Sequence, residues 1–142
     1  MSNAYDSDFY GWTQRQAALL RDRDNRNNEI DWDNIAEELD DLGHSLKSEI
    51  ERRLENLVLH LLKWKYQPAL QCGSWRGSIV EARTRVERLK EKNPSLKNYP
   101  RDCLAEIYPS ARAQAVAETG REDFPDACPW TIENILADEW LP

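Results

Sequence analysis

Apolar residues recur at steps of three and four along nearly the whole chain, the period of amphipathic helices. Phe9, Trp12, Gln16, Leu19 and Leu20 form a first stripe, with Asp6 or Ser7 placed to cap a helix reaching about Arg23. The polar stretch over 24–29 predicts a loop. Asp31 then caps a helix whose stripe is Ile35, Leu39, Leu42, Leu46 and Ile50. The phase is unbroken across Gly43, which predicts one long helix with a weak point there. A stop at Gly43 with a restart at Ser45 is the competing expectation. Over 54–66 the helix is apolar on most of its circumference, as a helix buried on several sides must be. One polar stripe remains, made by Glu49, Arg52, Asn56, His60, Lys63 and Gln67. Gln67-Pro68 ends this central helix, because the residue before proline avoids the helical region.

Cys72-Gly73-Ser74 predicts a turn with Ser74 as cap. A helix over 75–92 follows, with Trp75, Ile79, Ala82, Val86 and Leu89 in an a/d pattern. Asn93-Pro94-Ser95 stops it. The alanine-rich stretch over 96–119 is helical, with Pro100 and Pro109 as breaks or kinks and Gly120 at the C-cap. The chain is extended from Phe124-Pro125 to Pro129, and Thr131 caps a short last helix over 132–137. The expected fold is all-α: a single-domain bundle of five or six mostly antiparallel helices around a long central helix. It spans residues 1–142, with 1–4 a flexible start.

Composition agrees with that reading. A chain of 142 residues is long enough for one core. Six Trp, five Tyr and two Phe supply core material, and five Gly with no alternating β-branched runs argue against an all-β fold. No apolar run approaches the length that crosses a membrane, and no basic-then-apolar leader opens the chain. Cys72, Cys103 and Cys128 are widely spaced and form no CxxC pair. They read as free thiols of a cytoplasmic protein.

Charge changes the picture. The chain carries 19 basic and 26 acidic residues, a net charge of −7. Residues 1–62 are net −7, residues 63–101 are net +7 and residues 102–142 are net −7. An acidic chain is a poor non-specific ligand for nucleic acid. The middle segment nevertheless interleaves bases with aromatics in Lys63-Trp64-Lys65-Tyr66 and Ser74-Trp75-Arg76. Trp64 and Trp75 lie on apolar stripes and read as core. Glu81, Glu87 and Glu91 stand at pairing distance from the basic residues, as on a solvated helix face.

Candidate chemistry is sparse. Asp41 and His44 stand at i, i+3 on an acidic helix, which is half of a di-iron arrangement; no second carboxylate–histidine half exists, so no metal is expected. His60 has Asn56 and Gln67 on its face, not acids, and reads as a hydrogen-bonded residue at the core margin. Cys128 precedes a proline, with no helix N-terminus to lower its pKa. No GxSxG, GxGxxG, GxxxxGK[ST] or HExxH occurs. No catalytic residue and no cofactor is expected.

Several ordered segments together resemble a known family. They are Tyr5-Asp6-x-Asp8-Phe9-Tyr10-x-Trp12-Thr13, Asp31-Trp32-x-Asn34-Ile35-Ala36-Glu37-Glu38-Leu39, and His60-Leu61-Leu62-Lys63-Trp64-x-x-Gln67-Pro68. Asn93-Pro94-Ser95-Leu96, Glu118-Thr119-Gly120 and Phe124-Pro125-x-x-Cys128-Pro129-Trp130-Thr131 complete the set. The chain resembles the bacterial domain of unknown function 29 family over almost its whole length. The resemblance implies a small all-helical domain without an established activity, and supplies no catalytic residues. It also implies an apolar residue after Gly120, where this chain has Arg121.

The expected function is that of a non-enzymatic protein-interaction module, with another protein as partner and no membrane. The candidate partner-binding residues are Arg76, Arg83, Arg85, Arg88, Lys90 and Lys92, beside the polar stripe of Asn56, His60, Lys63 and Gln67. The alternative is a nucleic-acid-associated protein using the basic segment over 63–101.

Overall fold

A computed structural model describes residues 4–7, 9–22 and 29–142. The described residues contain α-helices, two short 3-10 turns and no strand. The chain is all-α, with a long central helix, as its periodicity requires. It divides into two compact units, Met1–Ser45 and Leu46–Pro142.

The first unit holds α1 (Ala4–Ser7), α2 (Phe9–Arg21) and the first turns of α3 (Trp32–Tyr66). Asp6 and Ser7 lie inside α1. The side chains of Phe9 and Trp12 and most of the 24–29 loop lie outside the described residues, as does all of the expected flexible start except Ala4. Gln16 is buried on the stripe predicted for it and organises the connection. Its Oε1 accepts the Asp31 N–H at 2.8 Å, and its Nε2 donates to the Glu29 carbonyl at 3.4 Å. Buried amides of this kind are kept where all their polar atoms find partners. Arg15 adds an ion pair to Glu29 at 2.9 Å. Asp31 caps α3: its Oδ1 accepts the Asn34 N–H at 3.4 Å, and its Oδ2 accepts Asn34 Nδ2 at 2.9 Å. The Tyr5 hydroxyl donates to the Glu38 carboxylate.

α3 is one helix of 35 residues that runs through Gly43 without interruption. Within the second unit it supplies the axis. Ile50, Leu54, Leu57, Val58, Leu59, Leu61 and Leu62 are all buried, which is why this stretch is apolar nearly all round. Pro68 stops it, and a 3-10 turn over Pro68–Leu70 follows. α4 (Gly73–Lys92) begins one residue before the expected cap. Ser74 lies inside it, and Cys72 holds the N-cap position without a side-chain bond. α4 buries Ile79, Ala82 and Val86, and a second 3-10 turn covers Pro94–Leu96.

α5 (Tyr99–Thr119) contributes Cys103, Ile107, Tyr108, Ala111 and Ala115 to the core. Pro100 sits in its first turn, where no N–H is needed. Pro109 is carried inside the helix and does not restart it. Gly120 terminates it at φ 70°, its N–H on the Val116 carbonyl at 2.9 Å. That left-handed position suits glycine and penalises residues with a Cβ. Thr131 caps α6 (Ile132–Leu136), accepting the Asn134 N–H at 3.3 Å. Trp64, expected in the interior, is half-buried and packs against the core from its margin.

The segment between α5 and α6 has few apolar residues and is held by polar contacts. The Tyr108 hydroxyl donates to the Pro125 carbonyl at 2.6 Å. Arg112 Nε lies 3.2 Å from the Phe124 carbonyl and 3.1 Å from that of Pro125, while its Nη2 donates to the Glu122 carbonyl at 3.3 Å. Phe124 is thereby seated edge-on to Tyr66, with ring centroids 5.1 Å apart. Arg121 is exposed and pairs with Asp123 at 2.7 Å, so a charged residue suits this position.

Candidate functional site

The polar stripe of α3 is a seam within the second unit. His60 is half-buried, with Nδ1 2.8 Å from the Asn56 carbonyl one turn earlier, so this nitrogen is engaged by backbone and not by a carboxylate. Lys63 Nζ donates to Glu118 of α5 at 2.8 Å and stands 4.7 Å from the centre of the Trp75 ring of α4. One cation thus ties three helices. Gln67 closes the stripe as the last residue before Pro68, its N–H on the Lys63 carbonyl at 2.9 Å.

The basic residues of α4 separate into two sets. Arg83 does not lie on an exposed face: it is 4% exposed. Its Nε donates to the Ile135 carbonyl at 2.8 Å and its Nη2 to the Trp140 carbonyl at 2.7 Å. Burial holds its pKa below the ordinary arginine value, Asp138 opposes that shift, and nearby Arg76 adds to it. Its role is to anchor the C-terminal segment, where Trp130 and Trp140 meet edge to face at 5.8 Å. Lys90 is half-buried and pairs with Glu87 at 3.0 Å. Arg85 is exposed, with Nε 3.9 Å from Glu81, a carboxylate also approached by Arg53 at 3.8 Å. Arg76, Arg88 and Lys92 are exposed, and none forms an ion pair among the described residues.

A shallow groove of about 380 Å³ opens between α5 and the following segment, lined by Arg101, Leu104, Tyr108, Pro109, Cys128 and Trp130. Three of its polar side chains are already engaged. Arg101 pairs with Glu133, Tyr108 with the Pro125 carbonyl, and Cys128 Sγ lies 3.5 Å from the Trp130 carbonyl. Burial raises the Cys128 thiol pKa and pushes Tyr108 up to about 12, so both are neutral at ordinary pH. All three cysteines are free; Cys72 is exposed and Cys103 is buried. His44 is exposed, and no group of three or more metal-ligating side chains occurs among the described residues.

One surface was not anticipated. Leu39 and Leu42, on the apolar stripe of α3, are 64% and 60% exposed, and Trp32 is 64% exposed. Their spacing is the same as that of the buried leucines further along the helix. Periodicity reports a face, not whether anything covers it.

These features define an all-helical protein whose buried polar groups serve caps, seams and chain anchoring. None of its described helices is long and apolar enough to cross a membrane. The family model named Domain of unknown function DUF29 matches residues 4–141, and the chain belongs to that family. No curated protein and no solved structure matches it.

Proposed function

We propose that this chain is a non-enzymatic, cytoplasmic protein-interaction module that presents the exposed cations of α4 to an acidic protein surface. The observation that carries this reading is the state of Arg76, Arg88 and Lys92. They stand exposed on one helix without an ion pair among the described residues, in a chain otherwise well supplied with carboxylates. Unpaired surface cations add little to folding; their strength lies in steering and orienting a partner of opposite sign. Protein is favoured over nucleic acid because the chain is net −7 and because the aromatics beside these cations serve packing. Trp64 lies against the core, and Trp75 faces the Lys63 ammonium. The free thiols agree with a reducing compartment.

The test leaves Arg83 in place. Tagged wild-type protein and an Arg85→Glu/Arg88→Glu/Lys92→Glu variant are used to capture partners from the native cell, with mass-spectrometric identification. The variant is expected to lose the partner while its stability changes by less than about 1 kcal/mol. Tight, salt-sensitive binding of a generic DNA duplex at physiological salt, lost in the same variant, assigns the face to nucleic acid instead.

A further inference from the structure

We infer that the first turns of α3 form a second docking surface, which takes a cationic amphipathic helix of a partner protein. This goes beyond the reading of α4: it rests on other residues in the other unit, and it stands even if α4 binds nothing.

Trp32, Ile35, Leu39 and Leu42 are spaced three, four and three residues apart. At about 100° per residue they fall within a sector of roughly 80°, and at 1.5 Å per residue they extend over about 15 Å. They therefore make one continuous strip, and three of its four side chains are bared to solvent. Isolated exposed leucines need no explanation, but a contiguous strip of large apolar groups marks a contact surface. The three-four alternation is the a/d seam by which one helix receives another.

The surrounding charge selects the occupant. Residues 29–45 contain seven carboxylates and no Lys or Arg. By the same helical angle, Glu38 borders one side of the strip; on the other, Ala36 and Gly43 come first and Asp40 and Asp33 stand further round, about 80° and 100° from Trp32. Asp33, Glu37, Asp40 and Asp41 make no ion pair among the described residues. A second copy laid on this strip would bring two segments of the same strong negative charge together, which opposes that pairing. An anionic membrane leaflet and a nucleic acid are repelled by the same field. A helix with apolar residues at a and d and Lys or Arg on its remaining faces satisfies both the strip and the acidic segment around it.

The probe is a fluorescein-labelled peptide of about 18 residues, roughly five helical turns, with Leu at a and d and Lys elsewhere. A scrambled peptide of identical composition is the control. Anisotropy titration of the full chain at physiological salt is expected to show saturable binding. The scrambled peptide is expected to bind at least about tenfold more weakly, a difference of roughly one decade in Kd. The Leu39→Ser/Leu42→Ser variant is expected to lose affinity to the same degree with unchanged far-ultraviolet circular dichroism. If that spectrum changes, Asp40→Lys decides in its place, with a several-fold loss expected. Absence of binding, equal binding of the scrambled peptide, or indifference to these substitutions overturns the inference. So does a wild-type dimer in sedimentation that the double serine variant dissolves, because the strip then belongs to a second copy.

Discussion

Arg83 shows how far one side chain's role is set by what lies beyond its own helix. Its guanidinium is removed from water and answered by two carbonyls, on residues 135 and 140. Shortening it leaves those acceptors without their charged donor, so Arg83→Ala should cost about 2–4 kcal/mol in urea denaturation. Arg88→Ala on the same helix should cost less than about 0.5 kcal/mol. The thiols form a second residue-scale series. Burial pushes Cys103 from the ordinary value near 9 up to about 11, while Cys72 is exposed. Iodoacetamide at mildly alkaline pH should therefore label Cys72 first, Cys128 slowly and Cys103 only on unfolding. The same shift makes stability depend on pH. The neutral thiol is the form favoured by the fold, and the unfolded chain loses its proton first. The contribution of Cys103 is complete below about pH 9 and is lost as the pH rises through about 11. The urea midpoint should fall across that window, and should fall less in Cys103→Ala.

At the scale of elements, the two informative glycines predict opposite signs. A Cβ at Gly43 would meet nothing within 4 Å, and the position is helical. Gly43→Ala should stabilise the chain by about 0.5–1 kcal/mol and raise its helicity by circular dichroism. Gly120 also has open space around it, yet its φ of 70° penalises any side chain. Gly120→Ala should destabilise by about 1 kcal/mol in the same assay. These elements were legible in the sequence because their signals are local. The Asp31 cap, the Gln67-Pro68 stop, the Gly120 C-cap and the Thr131 cap each act within a few residues of themselves. The candidate sites were legible only as charge. Arg83 and Arg85 look alike on a helical wheel, and what separates them is a pair of carbonyls more than 50 residues downstream. Leu39 and Leu54 likewise share one stripe, and only tertiary packing decides that one is bare and the other buried.

At the scale of the whole molecule, the alternation of acidic, basic and acidic segments is partly spent on holding the second unit together. Lys63 reaches Glu118 and Arg101 reaches Glu133, each joining the basic segment to the acidic one that follows. Among the described residues, the charges that form no ion pair include Arg76, Arg88 and Lys92 on α4 and, with opposite sign, Asp33, Glu37, Asp40 and Asp41 on the first turns of α3. The clasp on Arg83 also imposes an order on synthesis. A growing chain displays this arginine long before residues 135 and 140 exist to receive it. Until those residues leave the ribosome, packing α4 against α3 would strand a positive charge away from water. A chain ending before residue 135 is therefore expected to be less stable in urea denaturation than the full one, its arginine left without those two acceptors.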